Sequence, residues 1–273
     1  MSAVKRPTYG WRVPYASTPD GVRLYYESIG SGTPLLLVSG QAGDRHVWDP
    51  VRADFAVRHR VITFDHRGTG DSDKPDIPYS TSGFAQDAVA VLDAAGVERA
   101  DAYGVSMGGR ICQWLGIEHA DRIGALVLAC TTPGDRHGIS RTPKATARLL
   151  AEKTPETIAD KLLGDYTQPW IDAHPELLPI PEETVPTYAR IRHYRASQRH
   201  DTWDLLPRIT APTLVIHGSD DTVNPTANAP LLADRIPGAE LYIVDGGRHS
   251  FFIEFRTEAS RVVLDFLARH PLD

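Results

Sequence analysis

Gly104-Val105-Ser106-Met107-Gly108-Gly109 stands between an apolar strand and a helix, and its reading decides the fold. The run before it, Ala100–Tyr103, alternates as a short strand, and Arg110–Ile117 after it reads as helix. A Gly-x-Ser-x-Gly between two such elements forces the serine onto a sharp strand-to-helix turn, its hydroxyl clear of the backbone. Gly104 and Gly108 lack the Cβ that would clash where a chain folds this tightly. The helix opening at Met107 aims free N–H groups and the positive end of its dipole at the same spot. Ser106 is therefore a candidate nucleophile. Taken alone, the stretch also fits an ordinary Gly-Ser-Gly turn, so the reading needs partners elsewhere.

A carboxylate and then a histidine should follow the serine, each just past a strand end. Both are present. Pro212–Gly218 is an apolar strand running into Ser219-Asp220-Asp221, and Leu241–Val244 runs into Asp245-Gly246-Gly247-Arg248-His249. Serine is a poor nucleophile at neutral pH, so a base must take its proton; His249 has the right pKa for that, and a carboxylate on its other ring nitrogen fixes the tautomer.

On these residues the chain resembles the α/β-hydrolase superfamily, over nearly its whole length. Phe64–Ser72 is similar to that family's D-x-R-G-x-G-x-S loop, Gly218–Asp221 to its G-x-x-D and Gly247–His249 to its G-x-H. The serine turn and Ala129–Gly134 look closest to 3-oxoadipate enol-lactonases and to methylesterases of aromatic polyketide pathways. The resemblance implies a catalytic triad of Ser106, Asp221 and His249, and an oxyanion hole built from the backbone N–H groups of Met107 and Gln41. It also implies a cofactor-independent serine hydrolase that cleaves a carboxylic ester or lactone through an acyl-enzyme, with no metal. The chain departs from the pattern after its third strand, where Ser39-Gly40-Gln41 replaces the usual His-Gly. The donor there is a backbone N–H, so losing the ring need not remove the hole.

Rival assignments are weaker. Asp220 reads as a turn residue beside Asp221, and Cys130-Thr131-Thr132, where some relatives carry the acid, has no carboxylate. His217, at a strand end, reads as packed or hydrogen-bonded, and His66 and Arg67 belong to a structural loop. His46, His137, His193 and His200 read as surface residues before pocket residues. A carbon–carbon bond hydrolase shares the same triad. A biosynthetic cyclase or lyase, or a ligand receptor retaining the triad, also stays open on this fold.

Around the serine turn, strands and helices alternate. Trp11–Ser17 and Val22–Ser28 form a hairpin, and Leu35–Val38, Arg60–Phe64 and Gly124–Ala129 are further strands. Helices are expected near Trp48–Arg58, Gly83–Ala95 and Thr257–Ala268. This alternation predicts an α/β fold, a mostly parallel eight-stranded sheet flanked by helices. The rhythm breaks from about Pro133 to Pro207. That stretch offers helices near Lys144–Glu152, Pro155–Leu163 and Glu182–Gln198 but no buried strand. It reads as a helical cap (133–207) inserted in a core made of 1–132 and 208–273. Tyr194, Trp203 and Trp170 are its candidate pocket residues, with Tyr188 a further aromatic. Arg190, Arg192, Arg195 and Arg199 read as the solvated face of a helix.

The chain has 273 residues and a formal charge of −6 without a basic run, which argues against nucleic acid as a partner. Its N-terminus lacks a signal-peptide core and no stretch is apolar enough to span a membrane. Cys112 and Cys130 lie in apolar segments and read as reduced core residues. A cytoplasmic protein acting on a small-molecule ester or lactone is the expectation; nothing in the sequence fixes an oligomeric state.

Overall fold

The protein is described here by a computed structural model covering residues 15–151, 154–177 and 185–272. Residues 11–14 of the expected hairpin lie outside the described residues, as do Glu152 and residues 182–184 of two expected helices.

Short runs rich in apolar residues make most of the strands. The strands are β1 (Tyr15–Ser17), β2 (Arg23–Ile29), β3 (Thr33–Val38), β4 (His59–Phe64), β5 (Ala100–Val105), β6 (Ile123–Ala129), β7 (Thr213–Gly218) and β8 (Glu240–Val244). They form one eight-stranded sheet in the order β1-β2-β4-β3-β5-β6-β7-β8. The first two are antiparallel to their neighbours and the rest run parallel, with Leu36 paired to Ile62 on one side and Ala102 on the other.

Parallel strands are buried on both faces, and the period of two divides their side chains between two cores. Leu36 and Val38 join a cluster with helices α2 (Thr81–Ala94), α3 (Met107–Glu118) and α8 (Asn228–Arg235). Leu35 and Leu37 join the opposite cluster with α1 (Arg52–Ala56), α9 (Phe251–Glu254) and α10 (Arg256–Arg269). In α10, Val263, Phe266 and Leu267 are buried as expected, and Val262 packs partly against the same core.

The helix expected across Trp48–Arg58 is broken. A single turn, Arg45–Trp48, is capped by Asp44 accepting the N–H of His46, and α1 begins only at Arg52. Pro50 lies between them and has no N–H with which to continue the helical hydrogen-bond ladder. Between β6 and β7 the described residues hold no strand of the sheet. They form α4 (Pro143–Leu150), α5 (Pro155–Asp165), α6 (Gln168–Ala173) and α7 (Thr187–Gln198). A lone bridge between Gly134 and Asp201 ties the two ends of this segment together. No described helix is long and apolar enough to cross a membrane.

Candidate active site

The site lies at the carboxyl ends of β3, β5, β6, β7 and β8, the edge where open α/β sheets place their ligands. Ser106 links β5 directly to α3 and is held at φ 58°, ψ −116°, left-handed backbone that a serine adopts only under constraint. The constraint is close packing. A Cβ on Gly104 would collide with the Gly108 carbonyl, and one on Gly108 with the Val38 carbonyl at the end of β3. Two hydrogen bonds fasten the turn to β6: Ser106 N donates to Ala129 O at 2.9 Å, and Thr131 Oγ1 donates to Ser106 O at 2.7 Å.

Asp221 is buried in the turn after β7. Its Oδ1 accepts the N–H groups of Val223 and Asn224 at 2.8 and 2.9 Å. Its Oδ2 lies 2.8 Å from His249 Nδ1 and 3.2 Å from His217 Nε2. Burial alone would raise the carboxyl pKa, but the charge and hydrogen bonds of the two histidines overcome it and hold the group well below the usual carboxylate range. For His249 the balance is reciprocal. Burial favours the neutral ring, yet the charge and hydrogen bond of Asp221 outweigh it and raise the imidazole pKa. Asp220 is exposed and takes only the hydroxyl of Ser219, as expected of a turn residue. His217 is fully buried, its Nε2 2.8 Å from Asn224 O.

The loop after β3 passes close to the serine: a Cβ on Gly40 would sit 3.3 Å from Ser106 Cβ. Among the described residues, neither the Gln41 nor the Met107 N–H has a protein acceptor. Ala42, next in the loop, has φ 56° and donates its N–H to His193 Nδ1 at 3.3 Å. His193 Nε2 in turn donates to Arg67 O at 2.9 Å, and His66 Nε2 donates to Ser39 O at 3.0 Å. His193 and His200 are thus buried rather than on the surface. His46 is exposed and His137 stacks on Trp203.

Ser106, Gln41 and His249 line one cavity of about 440 Å³, which Arg141, just before α4, Ala145 of α4 and Ser197 of α7 also line. The structure corrects two of the three expected pocket aromatics. Trp170 stacks on His174 (ring centres 3.9 Å apart) and Tyr166, in a small core of the α4–α7 segment with Ile158 and Leu162. Trp203 packs against the main core beneath Arg235, whose guanidinium sits 4.6 Å from its ring. Neither lines the cavity; both rings are taken up by apolar packing elsewhere. Tyr194 lines a neighbouring space of about 210 Å³, which shares Gln41, Arg110, Arg141 and Ser197 with the first. The arginines of α7 stay outside as expected; Arg192 pairs with Asp76 at 3.0 Å, and Arg195 and Arg199 are exposed.

Two arginines escaped the sequence reading. Arg110, one turn beyond Ser106, is 2 % exposed; it donates to the carbonyl and hydroxyl of Ser197 and, at 2.8 Å, to Thr132 Oγ1. An arginine inside an otherwise buried helix was its one sequence signal. Arg141 precedes α4 in a stretch without periodicity, and nothing in the sequence marks it.

A serine at a left-handed strand-to-helix turn, with a hydrogen-bonded Asp–His pair from later strand ends, defines a hydrolase-type site on a parallel sheet. The chain belongs to the alpha/beta hydrolase fold family, whose model matches residues 33–255. It is 33 % identical to the "putative carbamate hydrolase RutD" of Azorhizobium caulinodans, over 88 % of this chain and 92 % of that protein. It is 29 % identical to 3-oxoadipate enol-lactonase 2 of Acinetobacter baylyi, over 85 % and 89 %. Among solved structures, Est816, described as an N-acyl homoserine lactone degrading enzyme, superposes with a TM-score of 0.80 at 32 % identity, covering 93 % of this chain and all of that one.

Proposed function

We propose that the protein is a cofactor-independent serine hydrolase that cleaves a carboxylic ester or lactone through an acyl-enzyme. The observation that carries this reading is the 2.8 Å bond between Asp221 and His249 Nδ1 in the cavity that Ser106 lines. It occupies one ring nitrogen and leaves Nε2 to accept the serine proton as Oγ attacks the carbonyl carbon. The oxyanion then forms beside the unengaged N–H groups of Gln41 and Met107. Removal of one such donor typically costs about 3 kcal/mol of transition-state stabilisation. On collapse, His249 returns the proton to the leaving alcohol, which departs from an ester and stays tethered in a lactone. Water repeats the sequence and frees Ser106. The α4–α7 segment acts as the cap that selects the substrate, and the lactone activity named for two of the similar proteins fits this chemistry.

A fluorophosphonate should label Ser106 covalently, because an activated serine in an oxyanion hole attacks phosphorus as it attacks an acyl carbon. Intact mass of the wild type and of Ser106→Ala checks this. Equal labelling of both proteins would remove Ser106 from the role.

A further inference from the structure

The cavity beside Ser106 is unevenly charged: Arg110, Arg141, Arg148 and Lys161 line it against Asp44 and Asp165. Most of these charges are already matched. Arg110 is held by Ser197 and Thr132 and has Asp135 at 3.6 Å. Arg148 grips Asp160 through Nε and a terminal nitrogen at 2.6 and 2.7 Å. Lys161, four residues before Asp165 on α5, is exposed to solvent. Asp44 accepts the N–H of His46 at 3.0 Å.

Among the buried and half-buried arginines of the cavity, Arg141 is the exception. Its guanidinium is partly buried and donates to Asn224 Oδ1 at 3.3 Å, and among the described residues it meets no carboxylate within ion-pair distance. Asn224 is itself fixed, its Nδ2 donating to Cys130 O at 2.6 Å and its N–H to Asp221 Oδ1 at 2.9 Å. The cation is therefore tethered to the same turn that presents Asp221, with most of its five donors unused. A desolvated charge without a counter-ion is costly, and burial, opposed in part by Asp135, does lower the Arg141 pKa. A ligand carboxylate would supply the missing partner in the two-pronged geometry that guanidinium favours.

We propose that the ester or lactone cleaved at Ser106 carries a carboxylate, and that Arg141 receives it. This rests on the hydrolase reading above. The carboxylate takes no part in bond breaking; it anchors the substrate while water divides the ester into acid and alcohol.

The test uses p-nitrophenyl monoesters of short dicarboxylic acids, each against its methyl-capped neutral twin. A second pair carries the carboxylate, free or methylated, on the leaving phenol. The wild type should favour the free carboxylate in at least one pair by about 10-fold or more in kcat/KM, mainly through KM, the scale of one charge-assisted bond. The preference should shrink as salt rises. Arg141→Met should lower the anionic-to-neutral ratio by about the same factor, and Arg141→Lys should restore part of it, as a point charge without the fork. A wild type indifferent to charge in both pairs overturns the proposal while leaving the hydrolase reading intact. So does a ratio that survives in an Arg141→Met protein with unchanged melting temperature. Should that variant fail to fold, the wild-type comparison still decides. If no ester is cleaved and Ser106 escapes fluorophosphonate, the hydrolase reading fails and takes this one with it.

Discussion

Asp221 has a histidine on either side, and the geometry distinguishes them. His217 Nε2 lies nearer the Asn224 carbonyl, at 2.8 Å, than Asp221, at 3.2 Å, whereas His249 Nδ1 lies 2.8 Å from the carboxylate. The carboxylate charge is thus directed at His249. Replacing Asp221 with Asn should lower kcat/KM on the order of 10⁴-fold, the loss seen when an amide replaces the carboxylate of a protease triad. Asp220→Asn, at an exposed turn, should change it little; comparable losses in the two variants would refute the assignment. The pH profile gives a separate check. In the proposed mechanism the neutral ring is the base, and its pKa is raised because Asp221 outweighs burial. Activity should therefore fall, as pH drops, through a midpoint above the ordinary imidazole value near 6.5. In Asp221→Asn the raising influence is gone and burial remains, so the limb of the residual activity should move to lower pH. A limb that stays in place would mean that Asp221 does not set the proton affinity of His249.

At the scale of elements, α7 does more than cover the cavity. His193, fully buried among the rings of Tyr79 and Phe84, accepts the N–H of Ala42 and so fixes the loop that presents Gln41. Burial, with a smaller push from His66, lowers its pKa to about 3, so Nδ1 remains an acceptor at any working pH. His193→Phe keeps a ring in the core but frees the loop. It should lower kcat by roughly 10- to 100-fold, short of losing a whole oxyanion donor, with a smaller change in KM. Steady-state kinetics alongside melting temperature separates this from packing alone, which would lower the melting temperature and leave kcat where it was. Such a tie between distant elements is invisible in the sequence. β3 to β7 were legible because strands covered on both faces are rich in apolar residues, and the turn at Ser106 because glycines must flank it. Thr187–Gln198 buries only small apolar residues, Ala189 and Ala196, beside His193, so His193 reads as surface until the loop it holds is seen. α8 was not expected at all: it has only eight residues, and with Pro230 in its first turn little length is left to display a helical period. Arg110 and Arg141 escaped for the same reason as His193, since their partners come from other parts of the chain.

Across the whole molecule, the chemistry sits at one edge of the sheet and a store of pH-dependent stability at the other. Asp101, near the amino end of β5, is 1 % exposed, where the register between β5 and β6 slips. The irregularity leaves the Ala125 N–H to be taken by Asp101 Oδ1 at 2.8 Å. One hydrogen bond does not offset desolvation, and burial pushes the carboxyl pKa up to about 6 from 3.8. A folded-state pKa above the unfolded one means that the native state binds the proton more tightly, so stability is lost as pH rises between those values. Fully ionised, the group costs at most about 3 kcal/mol, at 1.36 kcal/mol per pKa unit. Asp101→Asn keeps an oxygen for Ala125 and removes the charge, though its amide hydrogens need partners of their own. The net gain should be about 1–2 kcal/mol at pH 8, a rise of a few degrees in melting temperature. The advantage should shrink steadily towards pH 5, where the wild-type carboxyl is protonated in the native state. Melting curves for both proteins across that range decide the matter: a constant gap would mean that Asp101 carries no buried charge. Fluorophosphonate labelling of Ser106 should be the same in both proteins, because β5 runs its full length between the two groups.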